Sequence, residues 1–448
     1  MSLLLVRSPY DREIARLALP ALGALAADPL ISLIDTAFVG RLGKEALAAV
    51  ALASAIFAVA FAVFNFLEYA VTPLVAAAVG AGNRREAGAT TSAAFALGLV
   101  SGVVAGVVLF VFGDTFLELL GAEGEVLVMA TEYLDVRLLA MPAVLSVMVG
   151  HGVFRGYQDT RTPLAVTLGV NVINLVLDPI LIFGLDWGIV GAATATVIAQ
   201  WVGAIAFWVL VFGSRRRELG VTFDRVGTKI LRPLLGAGGK LVLRNASLLA
   251  AITVSTAAAA RTGTAAVAAH QVLIQLWIFL ALALDALAIA GQAMVGKMLG
   301  AGSARIARVV ANRLTVLGIA FGVVLAAALA FIRPWVGSWF TSDVAVIAAF
   351  GSAYWFVIAA QPLNAYVFVG DGVAIGASAF RMLAWSTFAG SVTAVAVMLA
   401  GLRLDLGLPA VWWGLTALML VRAAAMWRWY GTGPLGAVRD PAPSSRAG

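Results

Sequence analysis

The 448 residues are 62% hydrophobic and only 12% charged, with a formal net charge of +7, no cysteine and two histidines. A soluble domain is nearer half apolar and a quarter charged, so this chain is built for a hydrocarbon solvent. The missing cysteines exclude disulfides, thiolate metal centres and cysteine nucleophiles, and His151 and His270 are too few for a multi-histidine metal site.

Met1 to Glu13 carries Arg7 and Arg12 but no apolar core followed by a small-residue cleavage site, so the first span is expected to act as its own insertion signal. Several stretches hold no charge at all, such as Thr91 to Gly113, Trp187 to Ser214 and Met382 to Leu402. Each exceeds or matches the ~20 residues a helix needs to cross a bilayer core. In chain order the apolar segments predict helices over Ile14–Val39, Leu47–Val79, Thr91–Phe112, Val126–Gly150, Leu164–Phe183 and Gly191–Phe212. Six more are expected over Leu241–Ala260, Ala265–Met298, Leu314–Ile332, Val344–Val369, Met382–Gly401 and Ala410–Trp429. The second and eighth are over-long and should tilt or project beyond the membrane.

The polar breaks alternate in charge. With a cytoplasmic N-terminus, only Arg41, Lys44, Arg261, Arg333 and Arg403 of the 30 Lys and Arg fall in outer loops, and Arg137 lies inside a span. This bias places both termini in the cytoplasm of a cell that carries the chain in its inner (plasma) membrane. It also accounts for the basic balance without nucleic acid, since residues such as Arg215, Arg216 and Arg217 would face anionic lipid headgroups.

The two halves repeat at a constant offset of 220 positions. "VGAGNRREA" from Val79 aligns with "LGAGSARIA" from Leu299, Arg41 and Gly43 fall on Arg261 and Gly263, and Gly152, Gly156 and Arg161 fall on Gly372, Gly376 and Arg381. Six spans per repeat leave both halves in the same orientation, as parallel repeats. The predicted fold is therefore all-α and integral to the membrane, with twelve transmembrane helices in two parallel-repeat six-helix lobes. Residues 1–212 would form the N-terminal lobe, 213–240 a basic cytoplasmic connection, 241–429 the C-terminal lobe and 430–448 a disordered cytoplasmic tail. Such lobes imply a V-shaped transporter working by alternating access.

Charges within spans cost at least ~2.5–3.5 kcal/mol on insertion scales, so they should face a cavity and have partners. The first helix has Asp28 and Asp35, seven apart and therefore on one face, with Pro20 and Pro29 as bending points where backbone hydrogen bonds are lost. On the fifth helix Asn174 and Asp178 are one turn apart, Pro179 follows, and Thr196 of the sixth could add a hydroxyl. Two carboxylates, an amide oxygen and a hydroxyl suit a proton or a small hard cation. The competing reading is a helix-packing network in which Asp178 caps a kink. Asp285 of the eighth helix serves transport or holds helices together, and Glu68, a further secondary candidate, could instead simply snorkel to the interface. Tyr133, Arg137 and Met141 form one stripe on the fourth helix, with Arg137 as the only deep arginine, neutralising an acid of the first helix or binding an anion. His270 reads as a hydrogen-bonded packing residue, and Trp201, Trp208, Trp412 and Trp413 as belt or lipid-facing residues.

Taken with "DTAFVGRLG" from Asp35, "FRGYQDTRTP" from Phe154, "NLVLDPILIFG" from Asn174, "AAHQVLIQLW" from Ala268 and "QPLNAYVFVGDG" from Gln361, the chain resembles the multidrug and toxic compound extrusion (MATE) family over nearly its whole length, particularly the DinF-like branch. The resemblance implies a V-shaped pair of lobes, export of amphipathic, often cationic compounds, and an N-lobe cation site matching Asp35, Asn174, Asp178 and Thr196, with Tyr133 nearby and Pro20 as the first-helix bend. The sodium-driven NorM-like branch binds its ion through acids in the seventh and tenth helices. This chain has none over 241–260 or 344–369, and Asp371 lies in a "GDG" turn at the inner end of the tenth helix.

Proton-coupled drug efflux is the expected function, with sodium coupling at the same four residues as the alternative and no cofactor. A lipid-linked oligosaccharide flippase of the same superfamily would call for extra spans and an arginine-lined cavity. An integral membrane enzyme would need an acid/base and nucleophile cluster, a metal set or a phosphate loop, and none of these is apparent. No nucleotide-binding domain accompanies the spans, so no ATP-binding subunit is expected. The partners are small amphipathic substrates and membrane lipids.

Overall fold

The computed structural model describes residues 8–222 and 228–436. Among them, eleven helices are long and apolar enough to cross a membrane, and one bent pair brings the total to twelve. The first six spans are α1 (Asp11–Gly40), α2 (Lys44–Gly80), α3 (Arg84–Leu119), α4 (Gly124–Leu138 with Met141–Gly156), α5 (Arg161–Gly184) and α6 (Gly188–Ser214). The second six are α7 (Thr228–Arg261), α8 (Thr264–Gly300), α9 (Ala304–Phe340), α10 (Val344–Gly376), α11 (Phe380–Arg403) and α12 (Leu408–Thr432).

Several spans differ from the sequence expectation. α3 and α9 run 36 and 37 residues, as long as α2 and α8 at 37 each. At ~1.5 Å per residue they reach ~55 Å, well past a ~30 Å hydrocarbon core. Hydropathy sees only the apolar middle, whereas the helix continues through the polar turn that caps it: Asn83 accepts a hydrogen bond from the Glu86 amide and donates to its carboxylate, a reciprocal cap. α7 begins at Thr228, so the expected connection over 213–240 is helical in its last part. α2 is interrupted at Asn65, and the two halves of α4 meet at 52° between Leu138 and Met141. The last span ends at Thr432, and most of the tail expected to be disordered lies outside the described residues.

The chain divides into two compact units. One is Ala15–Asn245; the other joins the residues up to Ile14 to those from Ala246 onward. The 220-residue repeat is visible in the backbone. Gly43 and Gly263 both have φ 126°, Gly82 and Gly302 have φ 71° and 70°, and Gln158 and Ser378 have φ 62° and 55°. The left-handed region favours glycine because a Cβ crowds the backbone there, which is why "GAG" recurs at both helix ends.

The same offset recurs in close helix approaches. A Cβ on Gly152 would lie 2.7 Å from the Glu68 carbonyl oxygen, and one on Gly372 2.3 Å from the Ala288 carbonyl oxygen. Thus α4 rests on α2 in one unit as α10 rests on α8 in the other. Gly372→Ala would force backbone apart, since the nearest atoms are all main chain of Ala288. We expect a loss of ~1–3 kcal/mol, typical of overpacking, seen as a lowered midpoint in detergent thermal unfolding, with Gly351→Ala, in open space, as the control whose midpoint is not lowered. A Gly372→Ala midpoint equal to wild type would show that the two helices can separate freely.

Outside the spans, the segment after α6 is tied to the α4–α5 turn. Arg215 donates to Asp159 and Glu218, each at 2.8 Å. Burial alone would raise the Asp159 carboxyl, but hydrogen bonds from Arg215 and Thr162 outweigh it and hold it below its ordinary value.

Candidate cation site

All four residues of the expected site belong to the unit Ala15–Asn245. Asp178 and Asn174 are buried on α5, at 1% and 4% exposure, and Asp35 on α1 and Thr196 on α6 are half-buried. The carboxyl groups of Asp35 and Asp178 both come within hydrogen-bonding distance of the Asn174 side-chain amide. Asn174 lies between them. One orientation of its amide donates to Asp178 Oδ1 and to Thr196 Oγ1, both at 3.3 Å. The reverse orientation, in which its oxygen and nitrogen both meet complementary partners, donates to the two carboxyl oxygens of Asp35 at 3.1 Å each. The Thr196 hydroxyl donates its proton to the Ala192 carbonyl at 3.0 Å, leaving its lone pairs to the site.

A hydrogen bond between two carboxyl groups exists only when one of them carries a proton. The arrangement can therefore hold one proton between two acids from different helices. The α-helical ladder of α5 gives way after Pro179 to a π-helical turn, Ile180–Gly184, because proline supplies no amide for the ladder. Asp178 thus sits at a break in its own helix.

The secondary candidates separate clearly. Asp28 accepts from Asn171 Nδ2 at 3.2 Å, so both acids of α1 reach an asparagine of α5. Asn171 was not singled out from the sequence, although its three-residue spacing from Asn174 puts both near one face. Arg137 is within electrostatic reach of Asp35 and Asp178. Its guanidinium lies 4.8 Å from the Phe57 ring centroid, with Nε and Nη1 buried and without hydrogen-bond partners. Tyr133 belongs to the apolar cluster that includes Val39 and Ile182. The expected Tyr133–Arg137–Met141 stripe is broken, because the α4 bend falls between Arg137 and Met141. Pro20 and Pro29 lie inside a helix assigned continuously from Asp11 to Gly40. Asp285 is half-buried on α8, in the other unit.

Four expectations need correction. Glu68 does not snorkel: it pairs with Arg155, whose side chain is 4% exposed. Asp371 is not in a turn but inside α10, where it pairs with the buried Arg422. Arg137 is consequently not the only arginine held inside the protein. Trp412 does not face lipid: it is 3% exposed and packs edge-on against His270, which in turn meets Ser255 at 3.1 Å.

A family model described as MatE matches twice, over residues 20–180 and 241–399, one match in each half of the repeat. The chain belongs to the MATE family. It is 35% identical to Protein DETOXIFICATION 44, chloroplastic, of Arabidopsis thaliana, over 93% of this chain and 81% of that protein. It is 29% identical to DNA damage-inducible protein F of Escherichia coli (strain K12), over 93% and 92% of the two chains. The fold matches a crystal structure of MATE in the bent conformation with a TM-score of 0.87 at 22% identity, covering 97% of each chain. The protein is thus a multi-pass MATE transporter of the multidrug and toxic compound efflux type, with DinF among its relatives. Among the described residues no cluster of three or more His, Cys, Asp or Glu could hold a metal ion. An ion at the Asp35 site would have to draw on neutral oxygens from Asn174 and Thr196 as well as the two acids.

Proposed function

We propose that this MATE transporter exports amphipathic, often cationic compounds in exchange for protons, and that Asp35 and Asp178 carry the exchanged proton. The observation that carries this reading is that the Asn174 amide lies within hydrogen-bonding distance of both the Asp35 and the Asp178 carboxyl group. With one proton, the pair is cohesive and binds α1 to α5. With none, two like charges repel in a poorly solvated place, and Arg137 compensates only in part. Loss of the proton therefore favours a different placement of α1, whose prolines at 20 and 29 leave its backbone fewer hydrogen bonds to break. A cationic drug would be favoured by the deprotonated pair and displaced when a proton returns. That mutual exclusion is the requirement for antiport by alternating access.

The deciding measurement is drug efflux from proteoliposomes driven by a pH gradient alone, then by a sodium gradient alone at matched pH. Export is expected with the pH gradient and at background with sodium. Efflux driven by sodium only would reassign Asp35, Asp178, Asn174 and Thr196 to a metal-ion cage.

Direction depends on orientation, which we assign from the lysine and arginine bias: inner (plasma) membrane, both ends cytoplasmic. Single cysteines at the exposed positions Ser214 and Glu123 test it in a chain that has none of its own. In intact cells a membrane-impermeant maleimide should label position 123 and spare 214. The opposite pattern would invert the topology.

A further inference from the structure

Apart from the cation site, the unit containing α8–α12 holds a cavity of about 610 Å³ where α9 begins and α12 ends. Arg308, Asn312 and Thr315 line it from one face of α9, Tyr366 from α10, and Trp427 and Arg428 from the last turns of α12. None of the described residues lining it is acidic. Two permanently charged arginines, Arg308 and Arg428, therefore line a space shared with hydroxyl, amide and aromatic residues. Trp427 is 76% exposed at its edge, as an indole that sits at the headgroup level of a bilayer would be. A cationic drug would be repelled here, so the cavity does not serve the substrates proposed above.

We propose that this cavity binds the phosphate of an anionic phospholipid headgroup. Arg308 and Arg428 would hold the phosphate oxygens by charge-assisted hydrogen bonds. Asn312 and Thr315 would meet the glycerol hydroxyls, and Trp427 would lie along the acyl–headgroup boundary. Basic pockets between transmembrane helices on the positively charged side of a protein suit such headgroups, and both ends forming this cavity lie on that side in the topology assigned above. A lipid bridging α9, α10 and α12 would tie three helices of one unit together and make the transporter sensitive to the charge of its inner leaflet.

The test uses the delipidated full-length protein and counts bound lipid by native mass spectrometry. The probes are phosphatidylglycerol, phosphatidylcholine and soluble glycerol 3-phosphate. Wild type is expected to bind phosphatidylglycerol at least about tenfold more tightly than phosphatidylcholine. Arg308→Gln/Arg428→Gln should erase that preference. Arg305→Gln/Arg381→Gln removes the same charge from exposed positions that do not line the cavity, and should keep the preference. Equal loss in both double variants would overturn the site in favour of general surface attraction. No headgroup preference in wild type would overturn it outright. If glycerol 3-phosphate binds as tightly as the lipid and is lost with Arg308 and Arg428, the phosphate site stands and its ligand is soluble. Should the double variant not fold, quenching of Trp427 in wild type by brominated phosphatidylglycerol, referenced to Trp427→Phe, reads the same site. Quenching no stronger than with brominated phosphatidylcholine would refute the proposal.

Discussion

Asp35→Asn should reduce gradient-driven efflux at least tenfold, to the level of empty liposomes, while leaving the protein folded and able to bind drug. The substitution keeps the shape of the side chain but removes the proton that can leave. An amide at position 35 can still donate to Asp178, so it imitates the protonated pair permanently. The transporter would then be held in one half of its cycle. Asp178→Asn should be nearly as severe, since either acid alone has lost the partner that makes proton release coincide with repulsion. Efflux, drug binding and thermal midpoint should be measured on the same preparation. Efflux by Asp35→Asn within twofold of wild type would remove this residue from the coupling step.

The second large effect concerns stability, in the other unit. Asp371 and Arg422 form an ion pair whose side chains are 6% and 2% exposed, and the Arg422 guanidinium also lies 5.9 Å from the Phe368 ring centroid. Removing one partner of such a pair strands a charge without solvent, at a cost of about 3–5 kcal/mol. Arg422→Met should therefore lower the unfolding midpoint in detergent far more than any change at the exposed pair Lys44–Glu45, 91% and 37% exposed, which is worth at most about 1 kcal/mol. Asp371→Leu/Arg422→Leu should recover much of the loss, because an apolar pair needs no desolvation of charge. If Arg422→Met unfolds with wild type, the pair contributes nothing and Asp371 is solvated by other means.

These two cases differ in how far the arrangement of the residues could be read along the chain. The grouping of Asp35, Asn174, Asp178 and Thr196 was legible because each signal was local: a seven-residue spacing on α1, a four-residue spacing with proline on α5, and charges where hydrocarbon should exclude them. Glu68–Arg155 and Asp371–Arg422 were read wrongly because their partners are 87 and 51 positions apart. Arg155 stands at the end of α4, where positive loops are expected on electrostatic grounds, and Arg422 lies in the cytoplasmic half of α12 in the assigned topology. Nothing in their neighbourhood distinguishes a headgroup-facing arginine from one folded inward.

By itself the sequence determined the membrane class, the number of spans and the repeat. Each depends on properties summed along the chain: apolar length against bilayer thickness, and glycines required at fixed positions by positive φ or by close backbone approach. The tertiary structure alone decided how far α3 and α9 extend, where α2 and α4 break, which arginines are buried, and that Asn174 lies between Asp35 and Asp178. Those outcomes depend on which helix faces pack together. Packing pairs side chains distant in sequence, and a charge lowers its energy equally well in water, at a headgroup or against a buried partner.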